Sequence, residues 1–570
     1  MQYLRKFMSI RLSQQGESRK VKRGAVVNLN SDTVRIGKLF AEGFFFSVPN
    51  YQRPFSWDRD QLSDLIDDLM AAKRDTDYFL GTLVLHETAP ESFDIVDGQQ
   101  RLTALSILLA CLRDLLESDA DEVQDLLVQP EKKFQGIPSR PRLSVRDSGP
   151  YERIVVRSRG TLDSEIEILP LDATARRYRD AVSIFRDALV GQSQDYLRGL
   201  IEFIVQHVVV IYLAASSFDD AFRLFTVVND RGKQLRRIDV LKAINLSPSE
   251  ISHDDLREEY ARKWEGYEEA LGERDFEALF AALRLIYVQE KPEGDLLHEF
   301  ETRIYNKPGR PSPGTDFINS LGEYVDLWDA IFIARDFLAD TEDNARFKTL
   351  MHAMVGEFRA SEWRACVLSF AGKFGKSDLM TFLFALERLF VDQWVRGVRK
   401  DERYSSYTGV LKSIDVSVRP ATVIESMDVG LEAVQNACRE SKFYGSGFAK
   451  YLLVRAEIQA TELIEPREFS PRSIEHILPQ NPRAESQWLT DFTVDEIKSL
   501  VHSVGNLVLL SKSKNSSAQN KDFSEKKATY LSPRVSDYPR SVGTLGYESW
   551  TPEVIRKRTE EFANTILKPI

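Results

Sequence analysis

Alternating apolar and polar stretches in roughly the first 250 residues predict strands interleaved with helices. Short apolar runs bounded by turn residues predict strands at Phe45–Pro49, Tyr78–Leu85, Phe93–Val96 and Val208–Leu213. Apolar residues at helical spacing predict an amphipathic helix on Leu62, Leu65, Ile66 and Leu69, and further helices at Leu102–Leu116, Asp172–Leu189, Ser193–His207 and Phe218–Phe225.

Helical periodicity dominates residues 255–460, which carry many amphipathic patterns. The widest apolar stripe is interpreted as core and comprises Leu379, Phe382, Leu383, Leu386, Leu389, Phe390 and Val391. Proline and glycine cluster at residues 129–150 and 306–315, where loops between units are expected. The predicted fold class is therefore α+β and mostly helical.

Composition is that of a folded globular protein with several domains. A chain of 570 residues exceeds one hydrophobic core, so roughly two to four domains are expected. No apolar run reaches the roughly 18 residues that a membrane span needs. The three cysteines are far apart, which disfavours a disulfide scaffold or zinc finger and suits the reducing cytoplasm. Met1–Gly24 is basic but has no apolar signal core, so it is either a flexible basic arm or a ragged terminus.

The net charge of −11 taken alone disfavours nucleic acid as a partner. Its distribution matters more, because residues 471–570 hold 14 Lys/Arg and 12 Asp/Glu and are therefore slightly positive. The last hundred residues are thus the part of the chain that repels DNA least.

The segment Ser473–Gln480, with the later Asn506 and Asn515, carries the clearest chemistry. Glu475 and an Asn carbonyl are hard oxygen ligands of the kind that Mg²⁺ takes. His476 beside such a metal could deprotonate the water that attacks a phosphodiester. This combination predicts a nuclease. The alternative is a capped strand and turn with a buried histidine and asparagines in ordinary turns.

A second candidate site is Asp97-Gly98-Gln99-Gln100-Arg101, a tight turn between a predicted strand and a predicted helix. The N-terminus of a helix offers unpaired N–H groups and a positive dipole end to phosphate. A cation in the first turn is misplaced for that dipole, so Arg101 indicates an anionic partner. Asp97 could accept a hydrogen bond, position a water or hold Mg²⁺. The alternative is a tight turn in which Arg101 pairs with Asp97 itself.

Neighbouring segments leave two interpretations open. Tyr51 and Gln52, beside Arg53, either contact a base or a modified backbone or belong to the local structure, whereas Trp57 is interpreted as a core anchor. The basic segment Trp394–Lys400 has two interpretations. Its cations either contact DNA phosphates or pack the aliphatic parts of their side chains along a helix end. Arg231, in the turn Asn229-Asp230-Arg231-Gly232, and Lys242 are candidate phosphate contacts; the alternative is a helix-ending glycine with polar neighbours.

The C-terminal segment resembles the HNH, or His-Me finger, nucleases, in which a strand ending in Asp/Glu-His is followed by a hairpin and a helix. The resemblance implies that Glu475 is a metal ligand, that His476 is the general base and that Asn506 fixes the base's loop. It implies Asn515, at the start of the helix, as second ligand, with Asn520 on the same helix as the alternative. Many members have a second histidine where Asn515 stands.

The N-terminal turn resembles that of ParB-type nucleotidases and sulfiredoxin, with Arg53 as a companion. The whole layout resembles the GmrSD and SspE family of type IV modification-dependent restriction endonucleases. This resemblance implies a basic arm at 1–33, a ParB/sulfiredoxin-like α/β nucleotidase or sensor domain at 34–250, a helical connecting domain at 251–440 and a ββα-metal (HNH) nuclease domain at 441–570.

The expected function is nucleotide-regulated cleavage of modified foreign (phage) DNA. The expected cofactors are Mg²⁺ or Mn²⁺ and a nucleoside triphosphate, GTP or ATP, bound by Arg53, Gly98, Gln99, Gln100 and Arg101. The expected partner is double-stranded DNA. A homo-oligomer would add a second copy of the chain as a partner, and no interaction with a membrane is expected. The alternative is a nucleotide-operated DNA-binding switch in which the HNH-like part does not cleave.

Overall fold

A computed structural model of the protein describes residues 29–41, 43–49, 51–52, 54–146, 148–170, 172–217, 220–221, 224, 236–247, 249–427, 429–469, 473–510, 520–529 and 538–570. Two predicted site residues, Arg53 and Asn515, lie outside the described residues. The basic stretch before residue 29 and the turn at residues 229–232 lie outside them as well.

The chain forms two compact units, residues 1–236 and residues 237–570. The first unit combines a sheet with helices, and the second is almost entirely helical. The prediction of an α+β, mostly helical fold is confirmed. The division into four parts at residues 33, 250 and 440 stays a prediction.

A six-stranded mixed sheet forms the centre of the first unit. The described strands of this unit are β1 (Leu29–Arg35), β2 (Phe45–Ser47), β3 (Tyr78–Ala89), β4 (Ser92–Asp97), β5 (Val128–Gln129), β6 (Arg140–Pro141), β7 (Leu143–Ser144) and β8 (Val208–Ala215). The order in the sheet is β1-β8-β3-β4-β2-β7. β8 is parallel to β3 and antiparallel to β1, and β2 is parallel to both β4 and β7. The four strands predicted from the sequence are confirmed, and β4 lies inside the sheet between β3 and β2.

Eight α-helices are described in this unit: α1 (Ile36–Leu39), α2 (Arg59–Ala71), α3 (Gln99–Leu115), α4 (Ala120–Leu127), α5 (Ser148–Tyr151), α6 (Asp163–Glu167), α7 (Ala173–Leu189) and α8 (Gln194–His207). A π-helical turn, Glu152–Val156, follows α5. The helices predicted around residue 65 and at 102–116, 172–189 and 193–207 are confirmed. Their apolar faces and the sheet share one hydrophobic core.

Helix α2 shows why the sequence folds locally as predicted. Asp58 accepts hydrogen bonds from the N–H groups of Asp60 and Gln61, and the Gln61 side chain accepts from the N–H of Asp58, which makes a capping box. The apolar stripe predicted on this helix is buried throughout. Trp57, just before the cap, packs against the same core, as predicted.

The second unit contains sixteen described α-helices and one pair of strands. The helices are α9 (Arg237–Asn245), α10 (Asp254–Val288), α11 (Leu296–Glu299), α12 (Thr315–Trp328), α13 (Asn344–Glu357), α14 (Trp363–Phe374), α15 (Leu379–Val395), α16 (Lys400–Val416), α17 (Pro420–Glu425), α18 (Glu432–Arg439), α19 (Ala449–Gln459), α20 (Trp488–Asp491), α21 (Val494–Leu500), α22 (Phe523–Thr529), α23 (Pro539–Gly543) and α24 (Pro552–Thr565). Strands β9 (Ser473–His476) and β10 (Leu507–Leu510) pair antiparallel.

The apolar stripe predicted on α15 is buried in full, which confirms its interpretation as core. The cysteines Cys111, Cys366 and Cys438 are buried and form no disulfide, as expected. Among the described helices, none is both long enough and apolar enough to cross a bilayer.

Candidate functional site

The Glu475-His476 pair lies at the end of β9, in register with Val508 and Leu507 of β10. The resemblance implies a hairpin after this pair. The structure instead connects β9 to β10 through residues 477–506, which carry helices α20 and α21. The two strands nevertheless pair directly, so the connection folds outside the two-stranded sheet.

His476 is buried, with 6% of its surface exposed. Its Nδ1 lies 3.3 Å from Nε2 of Gln480, and its Nε2 lies 3.1 Å from Nδ1 of His502. Because the Gln480 amide nitrogen can only donate, Nδ1 of His476 accepts and Nε2 carries the proton shared with His502. The Tyr444 ring packs edge-on against the imidazole at 4.4 Å.

Burial lowers the pKa of His476 to about 3, and the nearby His502 and Lys526 act in the same direction. Taking a charged imidazolium out of water is costly, so the neutral ring is the stable form at neutral pH. A neutral imidazole is the form that accepts a proton, which is what a general base must do.

Glu475 is buried beside an equally buried cation. Nζ of Lys526, on α22, donates to Oε1 of Glu475 and to the carbonyl of His476, both at 2.7 Å. Lys526 is fully buried. Burial lowers the pKa of Lys526, whereas Glu475 raises it. The lysine therefore ties α22 to the end of β9 through both residues of the predicted pair.

Asn506 is fully buried and holds the chain that follows His476. Its Oδ1 accepts from the N–H of Leu478 at 2.8 Å, and its Nδ2 donates to the carbonyls of Leu478 at 2.9 Å and Val501 at 2.8 Å. The backbone carbonyl of Asn506 accepts from the N–H of Ile477 at 3.0 Å. Three of these four bonds fix the two residues immediately after the histidine.

Asn506 is in turn supported by residues much later in the chain. Trp550 Nε1 donates to Oδ1 of Asn506 at 3.1 Å. Arg558 Nε donates to the carbonyl of Gly505 at 2.8 Å, and the N–H of Gly505 donates to Thr559 Oγ1 at 3.2 Å. A Cβ at position 505 would overlap the backbone carbonyl of Ile555, so only glycine allows α24 to approach this closely.

The two asparagines implied as metal ligands are placed differently. Asn515 lies outside the described residues. Asn520 lies in a turn, three residues before α22 begins at Phe523, and the helix on which it was expected would begin at Asn515, outside the described residues. Within the described ranges no cluster of three or more His, Cys, Asp or Glu side chains could hold a metal ion. Glu475 is the carboxylate directly adjacent to His476.

Sequence reasoning missed three side chains of this centre: Tyr444, His502 and Lys526. Tyr444 and His502 surround the His476 ring, and the carbonyl of His502 accepts from the N–H of Tyr444 at 3.1 Å. The local sequence around these residues does not indicate a role in the site. Their part in it is visible only from the residues that they contact in the folded chain.

The N-terminal turn has the predicted backbone geometry. Gly98 adopts a left-handed conformation with φ 98°, and α3 begins at the next residue. A Cβ at position 98 would overlap the Leu83 side chain, so glycine is required here for both reasons. The 17-residue helix α3 directs its N-terminus to the end of β4.

Arg101 lies in the first turn of α3, and its guanidinium is turned towards β3. Nη2 donates to the carbonyl of Thr82 at 2.8 Å and lies 3.5 Å from Oδ2 of Asp97, while Nη1 lies 3.4 Å from the carbonyl of Leu80. A Cβ on Gly81 would overlap Nη1, so the glycine at this irregularity of β3 makes room for the cation. The pairing of Arg101 with Asp97, left open by the sequence, is the arrangement that the structure has. Burial raises the pKa of Asp97, although Arg101 lowers it.

The two glutamines near this turn hold backbone segments in place. Gln100 accepts from the N–H of Ser56 at 2.8 Å and donates to the carbonyl of Pro54 at 3.1 Å. Gln52 donates to the carbonyl of Val96 at 2.7 Å. These three bonds hold Gln52 against the end of β4, and Pro54 and Ser56 against the start of α3. Tyr51 and Gln99 are buried in the same region.

Family models for both regions match the chain. The model of the GmrSD restriction endonuclease N-terminal domain matches residues 36–246, and the model of the GmrSD restriction endonuclease C-terminal domain matches residues 429–565. None of the curated proteins matches the chain. The two family matches together span more than half of its length and place both candidate centres inside matched regions. The chain therefore belongs to the GmrSD family of restriction endonucleases.

Proposed function

We propose that the protein is a nucleotide-regulated, metal-dependent DNA endonuclease that nicks or cleaves modified DNA of invading phage. The observation that carries this proposal is the buried, neutral His476, held by Asn506 beside the Glu475 carboxylate. Nucleoside triphosphate hydrolysis is assigned to the turn at Gly98, and phosphodiester hydrolysis to the His476 centre.

In this proposal His476 takes the proton from the attacking water. Nδ1 holds the lone pair in the present tautomer and is reached once the Gln480 amide moves aside. Asn506 holds the backbone of Leu478, so the ring cannot drift when the water's proton is transferred.

The chemistry of the site fits a divalent ion, Mg²⁺ or Mn²⁺. Glu475 offers hard carboxylate oxygen, and a cation, the Lys526 ammonium, already lies against it. Such an ion, held by Glu475 with Asn515, would stabilise negative charge on the leaving oxygen. Lys526 would then share the carboxylate with the ion and keep α22 attached to β9.

In the N-terminal turn, Gly98 and the first N–H groups of α3 are assigned to phosphate, and Arg101 to a bidentate contact. Because Arg101 is paired with Asp97 at 3.5 Å, the phosphate would compete with that carboxylate for the guanidinium. Release of Asp97 would leave it available to position a water. Gln100 and Gln52 are assigned to holding the neighbouring backbone in place rather than to direct contact with the nucleotide.

One observation favours the alternative of a non-cleaving switch protein. A buried lysine that neutralises Glu475 at 2.7 Å stabilises the strand end without any metal ion. In that case the His476 region is a scaffold, and nucleotide binding at Gly98 changes DNA binding alone.

The two functions are separated by a cleavage panel. Purified protein is incubated with plain, glucosylated hydroxymethylcytosine and phosphorothioate DNA, each with every nucleoside triphosphate and with Mg²⁺ or Mn²⁺. We expect nicks or breaks in at least one modified DNA, lost in EDTA. Retained DNA binding with no cleavage under any condition would favour the switch.

Arg101→Ala is expected to weaken triphosphate binding at least tenfold, because the guanidinium is the cation of the turn. Calorimetry with the preferred triphosphate measures the affinity, with the exposed Arg177→Ala on α7 as the matched control. Arg101→Lys keeps the positive charge but removes the bidentate geometry of the guanidinium, so it separates the effect of charge from the effect of geometry. A folded Arg101→Ala protein with unchanged affinity would leave the Asp97 pair as a purely structural contact.

A further inference from the structure

A pocket of about 530 Å³ opens within the second unit. The residues that line it lie between Arg359 and Tyr404, far in sequence from His476. Its wall consists of the end of α15, the start of α16 and the segment before α14, and it shares no residue with that centre. This volume is in the range of pockets that hold small organic ligands.

The turn that ends α15 gives the pocket a fixed edge. Gly397 has φ 63°, its N–H donates to the carbonyl of Trp394 at 3.2 Å, and the N–H of Val398 donates to the carbonyl of Gln393 at 2.9 Å. These two bonds are those of a Schellman motif, which stops the helix at Arg396. The basic segment Trp394–Lys400 therefore forms the rim of a pocket.

Two helices begin at the pocket, and three cationic side chains line it. Glu362 is the N-cap of the 12-residue α14, and Lys400 is the first residue of the 17-residue α16. Both helices present the positive ends of their dipoles. Arg359, Lys400 and Arg403 add positive charge to the wall. This arrangement suits an anionic group such as a phosphate.

Aromatic rings line the same space. Trp394 is half-buried and makes edge-on contacts with Phe390 at 5.8 Å and with Phe358 at 6.3 Å, which hold its ring in place. Tyr404, on α16, faces the pocket as well, and Lys400 lies 5.8 Å from its ring centroid. Aromatic rings bind planar heterocycles by stacking.

Polar atoms deep in the wall have no partner among the described residues. These are Oε2 of Glu362, Oε1 of Gln393 and Nε of Arg403. Glu362 and Gln393 are 8% and 5% exposed, so both are more than nine-tenths buried. Nη2 of Arg403 donates to Oε1 of Glu362 at 3.2 Å, which places the unpartnered Nε and Oε2 on neighbouring side chains. Buried polar atoms of native proteins are almost always paired, so these atoms call for a ligand.

Two acceptors and one donor in the same pocket wall match a particular edge of a nucleobase. An exocyclic amino group donates to carboxylate and amide oxygens, and the adjacent ring nitrogen accepts from Arg403. Cytosine and adenine carry this pair on their Watson–Crick edge, whereas thymine presents a ring N–H and a carbonyl in its place.

We propose that this pocket binds one nucleotide unit whose base carries an exocyclic amino group. The base stacks on Trp394, its amino group is read by Glu362 and Gln393, and its phosphate lies at Lys400 and Arg359. The nucleotide comes either from solution or from DNA, as a residue turned out of the helix. The proposal requires neither cleavage nor the turn at Gly98.

Binding of dCMP, dAMP and dTMP to the full chain tests this proposal. The measurement is made by calorimetry in EDTA and in an Arg101→Ala background, so that the N-terminal turn cannot supply the signal. We expect dCMP or dAMP to bind at least tenfold more tightly than dTMP. Lys400→Ala and Glu362→Gln should each weaken that binding at least tenfold. Lys412→Ala, an exposed lysine on the same helix, should leave it unchanged.

A duplex with one 2-aminopurine distinguishes the two sources, because this base fluoresces more strongly when it leaves the stack. A Lys400-dependent rise in fluorescence supports a nucleotide taken from DNA, and binding of free monophosphate alone supports one from solution. Equal affinity for dTMP, or affinities that Lys400→Ala and Glu362→Gln leave unchanged in folded protein, would overturn the proposal. No binding of any probe would overturn it as well.

Discussion

Replacement of His476 by alanine is expected to lower the rate of DNA nicking by about 10²–10⁴-fold, the usual contribution of a general base. The imidazole is neutral because burial lowers its pKa to about 3, and the nearby His502 and Lys526 act in the same direction. No neighbouring side chain replaces it, since His502 lies behind it at 3.1 Å and hydrogen-bonds to its Nε2. Single-turnover nicking of the preferred modified DNA measures the effect.

Three controls make the result specific to the base. His298→Ala, on the exposed surface of α11, should retain the full rate. Triphosphate hydrolysis should be unchanged in His476→Ala, because it is assigned to the first unit. Added imidazole should restore part of the rate. If His476→Ala nicks as fast as the wild type, the histidine is a structural residue and the proposed mechanism is wrong.

Lys526→Met is expected to lower the free energy of unfolding of the second unit by roughly 3–5 kcal/mol in EDTA. The cost arises because the substitution leaves the Glu475 carboxylate buried without its ion-pair partner. A divalent ion at Glu475 would replace the lost cation, so Mn²⁺ should restore much of the stability. Denaturant unfolding with and without Mn²⁺ measures both effects.

A matched pair of variants separates the charge effect from loss of packing. Lys498→Met, at an exposed position of α21, should change stability little. The double variant Glu475→Gln, Lys526→Met should recover part of the loss in EDTA but gain nothing from Mn²⁺, because the carboxylate is gone. Stability of Lys526→Met that does not respond to any divalent ion would contradict the role of Glu475 as a metal ligand.

The sequence predicted most elements of the first unit because their signals are local. The apolar stripe of α2 and its Asp58 cap lie within one short segment, and the same holds for β4 and Gly98. For Arg101 the sequence left two partners open, a phosphate ligand or Asp97, and the structure has the Asp97 pair. The hydrogen bonds from the guanidinium to carbonyls of β3 could not be predicted, because they depend on how β3 pairs with β4.

The surroundings of His476 were beyond sequence reasoning for a related reason. His502 is 26 residues and Lys526 is 50 residues from His476, and both reach it only after β9 and β10 pair. The prediction that Asn520 lies on a helix rested on the family pattern, and the structure places Asn520 in a turn before α22. The roles given to Glu475, His476 and Asn515 stay predictions that the variants above test.

The support that Trp550, Arg558 and Thr559 give to Gly505 and Asn506 bears on the order of synthesis. A ribosome that has made β9 and β10 has not yet made the residues that hold Asn506 in place. The His476 centre is therefore completed only after translation has passed residue 559. A chain that ends before residue 550 would therefore lack every one of these supports for Gly505 and Asn506, and the backbone after His476 would lose its anchor.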